Sequence, residues 1–304
     1  MHRAGRLITI AVLACSYAGL SATAFSQDAE KTTPPPTIAV APQYDTAHVY
    51  VAPADVDAFV ASFLGTFGGT STKQVVTTVT PTPSLTSSQL LQTPVGTVSV
   101  FGFRTPIPAP FGTERTGYLV TNMDAAIKWA KATGAEVVVT PFPDPIGLDA
   151  VIQWPGGVMT QLYWHTTPPS YAPFVTVPEN RVYVSPDGVE KFLHSFLAFS
   201  SGRVVSDEGS ASGVEIGLPQ STIRRIRVES AFGKMTVFVT DRHFPFPRGR
   251  ETTGYEVADL NSTLVKAQSL GVKLLVPPIT IEERTSAIVQ FPGGYIAEIH
   301  SVAR

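Results

Sequence analysis

The chain has 304 residues, with 22 Lys or Arg against 24 Asp or Glu and a formal charge of −2 at pH 7. That balance carries no basic footprint of the kind a nucleic-acid partner requires. Hydrophobic residues make up 43%, enough for packed cores, and the length suits about two domains.

The start, MHRAGRLITIAVLACSYAGLSATAFSQ, sets a basic patch (His2, Arg3, Arg6) before an apolar run from Leu7 to Leu20. Small residues then offer a cleavage point near Ser26–Gln27. This pattern reads as a signal peptide over 1–26, so the chain is expected to be exported, to the periplasm or beyond. The apolar run is short for a membrane span, and no transmembrane anchor is expected in the mature chain. The single cysteine, Cys15, lies in that segment. Its removal takes disulfides, thiol nucleophiles and thiolate metal sites away together. A lipoprotein signal through VLAC is the weaker alternative, because Arg6 crowds the apolar run. Residues 27–44 are polar and proline-rich and read as a flexible linker.

From residue 45 the sequence repeats itself. Residues 116–165 and 253–302 align without a gap at an offset of 253 − 116 = 137. AHVYVAPADVDAFVASFL (47–64) matches NRVYVSPDGVEKFLHSFL (180–197) at 180 − 47 = 133. Such a self-match means two copies of one domain, set at 45–166 and 177–304. In copy one, AHVYVAP alternates as a strand. Val56, Phe59, Val60, Phe63 and Leu64 then mark one helical stripe, closed by GTFGG. Strands follow to TVSVFGF. TGYLV restarts the pattern, MDAAIKWAKATG is a helix, AEVVVTP a strand, and AVIQW with VMTQLYW a hairpin about Pro155, Gly156 and Gly157. Each copy therefore reads as βαβββ written twice, and copy two repeats the scheme.

Strand parity sorts the faces. Val49, Val51, Val182 and Val184 should face the helices, as should Leu162 and Ile299. The opposite face carries His48, Tyr50, Gln161, Tyr163 and His165 in copy one, and Arg181, Tyr183, Glu298 and His300 in copy two. Polar side chains there point to a solvated cup or an interface. Arg225, Arg227 and Glu229 share one strand face, read as solvated with cross-strand ion pairs. The charged loop 241–256 could lid the copy-two cup, with Glu256 projecting inward. No phosphate loop, dinucleotide fingerprint or nucleophile elbow is present.

HVYVAPADVDAFVASFLGTFGG, TGYLVTNMDAAIKWAKATGAEVVVTPF and FPGGYIAEIHS together resemble the vicinal oxygen chelate superfamily, which contains glyoxalases, extradiol dioxygenases and bleomycin-resistance proteins. The resemblance covers most of residues 45–302. It implies an α+β fold of two tandem glyoxalase-like domains, each of paired βαβββ modules with curled mixed sheets. Gly294, Tyr295 and Glu298 match the closing-strand motif that ends on a ligand glutamate. Carried over, the ligand positions are His48, Arg115 and Gln161 in copy one, and Arg181, Thr252 and Glu298 in copy two. Arginine has no lone pair to offer a metal. No cofactor is therefore expected, with a divalent metal on His48, Gln161 and Glu298 as the alternative. Arg181 and Glu298 are expected to pair as a planar bidentate couple across copy two.

The expected function is the binding or transformation of a small oxygenated or anionic molecule in a sheet-lined cup. As an enzyme it would be a glyoxalase-like lyase or isomerase, with Glu298 and His300 handling protons and Arg181 clamping an anion. His48, Tyr50, Arg115, Gln161, Tyr163, Tyr183 and Glu256 are the candidate ligand contacts. The alternatives are a metal-dependent lyase, isomerase or dioxygenase of the same superfamily, a sequestering protein of bleomycin-resistance type, or a scaffold. The expected partner is a small molecule, with a homo-oligomer as an open alternative.

Overall fold

A computed structural model describes residues 36–303 apart from Arg242. The signal-peptide reading of residues 1–26 lies outside them.

Module one runs β1 (Asp45–Tyr50), α1 (Val56–Phe67), the short β2 (Thr70–Ser71) and β3 (Val75–Thr77), β4 (Thr86–Thr93) and β5 (Gly96–Phe103). Module two is β6 (Thr116–Leu119), α2 (Met123–Ala132), β7 (Glu136–Asp144), β8 (Gly147–Gln153) and β9 (Met159–His165). Module three is β10 (Glu179–Val184), α3 (Val189–Ser200), β11 (Arg203–Ser212), β12 (Thr222–Ser230) and β13 (Gly233–Val239). Module four is β14 (Thr252–Glu256), α4 (Leu260–Ser269), β15 (Lys273–Ile281), β16 (Arg284–Gln290) and β17 (Ile296–Val302).

Local chemistry sets these elements. Asn122 caps α2 by accepting from the Ala125 N–H, and Asp259 caps α4 by accepting from the Ser262 N–H. Gly68, at φ 80, ends α1 where the left-handed region favours glycine.

Modules one and two form one mixed sheet in the order β2-β4-β5-β1-β6-β9-β8-β7, with β3 also on β4. Modules three and four form the second, β11-β12-β13-β10-β14-β17-β16-β15. In each, the two first strands of the modules meet antiparallel at the centre, β1 on β6 and β10 on β14. Each first strand also pairs in parallel with the last strand of its own module. This central seam places the opening and closing strands of both modules side by side, and their shared polar face becomes the cup.

The apolar faces pack across the copies rather than within them. One core joins α2 and its strands to α3 and its strands, with Tyr118 stacked on Phe232 at 4.4 Å and Trp154 against Phe196 at 5.5 Å. The other joins α1 to module four, where Phe63 lies 5.1 Å from Phe291 and 5.5 Å from Tyr255. The described residues accordingly form one compact unit, although each copy owns one sheet. The linker reading of 27–44 needs correction at its end. Ile38, Ala39 and Tyr44 are buried, and Ala39 bridges to Val120. Ile38 and Ala39 dock beside β6 as a short extension of the core, and Tyr44 packs on Tyr171.

Candidate functional site: two unequal cups

Parity holds on both seams. Val49, Val182, Leu162 and Ile299 are buried in the helix-side cores. His48, Tyr50, Gln161, Tyr163 and His165 line a cavity of about 160 Å³ in copy one. Its walls are aromatic: Phe101 and Phe103 from β5, Phe111 from the loop before β6, and Tyr171 from the segment joining the copies. Asp144 and Asp149 from the β7–β8 hairpin complete it. Among the described residues no Lys or Arg lines this cavity.

Hydrogen bonds fix several of these walls. Tyr163 donates to the Tyr44 carbonyl, and its hydroxyl lies 2.5 Å from Thr46 Oγ1. Tyr44 in turn donates to the Pro169 carbonyl at 2.7 Å and packs on Tyr171 at 4.8 Å between centroids. The joining segment is thereby folded onto the copy-one cup. Gln161 Nε2 donates to Asp149 Oδ2 at 2.9 Å. Burial, with Asp144 adding its charge, pushes the Asp149 carboxyl well above the usual carboxylate range.

Behind His48 stands Glu114, a carboxylate with no solvent exposure. Tyr50 donates to it, and its Oε1 lies 3.6 Å from His48 Nδ1, beyond hydrogen-bond reach. His48 Nδ1 and Glu114 Oε2 are left without hydrogen-bond partners. Burial, followed by the Glu114 charge, raises the Tyr50 hydroxyl well above its ordinary range.

Copy two is built from the same strand positions and is filled with charge. Arg181 donates to Glu179 and to Glu215, each at 2.6 Å. Arg225 donates to Glu215 at 2.8 Å and Glu208 at 2.7 Å. Arg284 donates to Glu298 at 2.9 Å and to Glu179 at 3.1 Å, and His300 Nδ1 lies 2.8 Å from the second oxygen of Glu298. The cavity left beside Arg181 is about 20 Å³, and a charge-lined one of about 200 Å³ opens along Glu179, Arg284 and His300. Burial alone would raise the Glu298 carboxyl, but Arg284, His300 and Arg181 hold it down to about 2. Glu179 is held well below its ordinary range against the same burial by Arg284 and Arg181.

Several expectations change here. Arg181 and Glu298 are neighbours but not a bidentate pair: their closest approach is 4.0 Å, because Glu179 and Glu215 take both Arg181 amino groups. Arg115 lies across the seam from His48, whose backbone N–H donates to the Arg115 carbonyl at 2.9 Å, and Thr252 is in register with Arg181. The residue in register with Gln161 is Gly117, and the one with Glu298 is Gly254. A Cβ on Gly117 would collide with His48 Nε2, so the buried imidazole occupies the space of the missing side chain. The Arg115 guanidinium lies over the Tyr50 ring at 5.5 Å, in a cleft of about 90 Å³ lined also by His48, Arg250 and Glu251.

Tyr183 packs against Phe238 and Phe244, while Glu256 stands at the rim with Lys234 at 3.6 Å. Arg225, expected on a wet face, is 2% exposed and faces the cup. Arg248 of the 241–256 loop lines the small cavity, donating to the Glu215 carbonyl at 3.2 Å. Sequence reasoning passed over Glu114, Asp149, Glu179, Glu215 and Arg284. Two carried a readable signal: Glu179 shares strand parity with Arg181, and Glu114 aligns with Glu251 across the copies.

Paired βαβββ modules, each pair closing one curled sheet round a polar cup, define the vicinal oxygen chelate fold, and this chain has it. No protein-family model matches the sequence, and no curated protein matches it. Solved structures do. A triple mutant of 4-hydroxymandelate synthase from Streptomyces coelicolor superposes with a TM-score of 0.59 at 16% identity, covering 90% of this chain and 94% of that one. A fusion of a xylose isomerase-like TIM barrel with 4-hydroxyphenylpyruvate dioxygenase gives 0.53 at 12% identity, over 89% of this chain and 50% of that one. A Mn(II)-bound glyoxalase from Novosphingobium aromaticivorans gives 0.51 at 14% identity, over 86% and 82%. At these identities the likeness is one of fold.

Proposed function

We propose that copy one is the working half and that its cup binds a small, neutral, oxygenated ring compound. The observation that carries this reading is the contrast between the walls: aromatic rings round about 160 Å³ in copy one, against an ion network in copy two whose cavities, about 20 Å³ beside Arg181 and about 200 Å³ beside Glu179 and His300, are lined by paired charges. Phe101, Phe103, Phe111 and Tyr171 offer faces to a flat apolar body. The buried carboxyl of Asp149, raised toward its neutral form, can donate to a hydroxyl or carbonyl oxygen, as can Gln161 and His165. Without a guanidinium or ammonium among the described residues of the wall, an anion has no fixed counter-charge, so the ligand class narrows from the anionic to the neutral. The cavity is small against common ligand sites, which suits a single substituted ring.

The fold's relatives include a Mn(II)-bound protein, so the donor set must be weighed. In copy one, His48 Nε2 lies against the Gly117 backbone and its Nδ1 faces Glu114. Gln161 gives its amide to Asp149. In copy two, guanidinium groups already sit on Glu298 and Glu179. Among the described residues no three His, Cys, Asp or Glu side chains stand open to one ion. The residues present do not fit a divalent metal, and the reading assigns no step to one.

A second reading, proton transfer by His48, is favoured by its unpartnered Nδ1 beside the unpartnered Glu114 Oε2, since buried polar atoms without partners mark working sites. Glu298 suits that task poorly, because a carboxylate held near 2 is a weak base. The reading includes export, which rests on the basic and apolar start of the chain; N-terminal sequencing of secreted material should begin at Gln27.

Calorimetric titration with a panel of neutral phenols, cyclic hydroxyketones and benzoate-type acids tests the proposal. A neutral ring compound should bind, and Phe101→Ala should weaken it about tenfold or more through lost ring contact. Arg227→Ala, outside the cup, should leave binding unchanged. Tight binding of the acids alone, insensitive to Phe101→Ala, would refute the assignment.

A further inference from the structure

Arg284 reaches into the copy-two cup from β16, and its Nη2 stands where three donors converge. Glu298 Oε1 lies at 2.9 Å, His300 Nδ1 at 3.1 Å and Glu179 Oε1 at 3.2 Å. Its Nη1 holds the other Glu179 oxygen at 3.1 Å. Two carboxylates and an imidazole around one point form the donor set that a divalent transition metal takes. Here a guanidinium nitrogen fills the point.

The surroundings are shaped to this arrangement. Glu298 and His300 are 3% and 4% exposed. Gly254 leaves the room: a Cβ there would stand 2.6 Å from Glu298 Oε2 and 3.5 Å from Arg284 Nη2. Arg181 backs the cage, bonded to Glu179 at 2.6 Å and 4.0 Å from Glu298. The residue aligned with Arg284 in copy one is Gly147, which has no side chain to send inward. His300 Nδ1 serves either as donor to Glu298 or as acceptor from Arg284, and its neutral lone pair would be free for a metal once the guanidinium left.

We infer that Arg284 is a built-in cation that occupies a metal position in the copy-two cup, and that it keeps divalent ions out of Glu179, Glu298 and His300. A fixed charge on the chain gives the carboxylates their counter-ion during folding, without dependence on metal supply. The inference does not rest on what the copy-one cup binds.

Zinc retention after dialysis is the test, read by elemental analysis on wild type, Arg284→Ala, Arg284→Met and the pair Arg284→Ala with Glu298→Gln. Arg284→Ala should retain about one more Zn²⁺ per chain than wild type. Its thermal midpoint should rise with added Zn²⁺, and Glu298→Gln should abolish both effects. Arg284→Met, which keeps the stem volume, should behave as Arg284→Ala. Should Arg284→Ala fail to fold without metal, refolding with Zn²⁺ should restore it. Failure of zinc to bind the folded variant, or to rescue the unfolded one, overturns the inference. So does wild-type zinc that Glu298→Gln removes. Wild-type zinc that survives Glu298→Gln would instead count against the metal-free reading of copy one, so the two failures are distinguishable.

Discussion

Glu251 and Glu298 show how position alone sorts like residues. Burial pushes Glu251 up to about 7, and only the Thr116 hydroxyl at 2.8 Å and the Arg115 charge oppose that. The folded state therefore holds this proton more tightly than the unfolded state. Stability falls as pH rises from about 4.5 to about 7, and the full penalty remains above that. Glu251→Gln should thus stabilise the protein at pH 8 by about 2 kcal/mol while changing little at pH 5, measured by denaturant melts at both values. Glu298 has the opposite sign. Held at about 2 by Arg284, His300 and Arg181, it contributes stability above about 4.5 that is lost as pH falls toward 2. A thermal midpoint that drops across that acid window is the expected outcome. At Gly117, a substitution to Ala should cost roughly 1–3 kcal/mol, because the buried His48 ring must move off the seam. A stable Gly117→Ala protein with unaltered His48 resonances would contradict that geometry.

At the scale of the element, α1 illustrates what periodicity tells and what it leaves open. Its stripe was legible: Val56, Phe59 and Phe63 are buried as the spacing requires, with Val60 and Leu64 at the margin. The partner was not legible. Phe59 and Phe63 pack on Phe291, Tyr255 and Tyr295 of module four, not on copy one's second module. Phe63→Ala should cost about 3–5 kcal/mol. A double-mutant cycle of Phe63 with Phe291 should return a coupling near 1 kcal/mol, a term that packing confined within each copy would not give. Strand parity was equally readable, since a period of two fixes the face of every residue once one is known. What parity could not supply was the register along the seam, which sets Gly117 beside Gln161 and Gly254 beside Glu298.

For the whole molecule, the cross-packing has a direct consequence. Each core takes one module from each copy, so a chain cut between residues 166 and 177 would expose half of both. A fragment of residues 36–176 alone should be insoluble or lack a cooperative melt, whereas co-expression with 177–304 should restore a single transition near that of the intact chain. Independent folding of either fragment, with native thermal stability, would show that the cores do not depend on each other. The two cups differ in their walls, aromatic in copy one and ion-paired in copy two.

The sequence by itself determined the duplication, the βαβββ order and the helix and cup faces of the opening and closing strands, because these are short-range periodic patterns written into neighbouring residues. Tertiary structure alone decided which cup is saturated with ion pairs. Arg284 meets Glu179 across 105 positions and Arg181 meets Glu215 across 34. Whether a buried carboxylate is saturated or free depends on distances of a few ångströms between such remote side chains, since attraction in a poorly solvated interior falls away with separation and with every competing partner. That arithmetic has no local signature, so the charges could be named from the chain while their pairings could not.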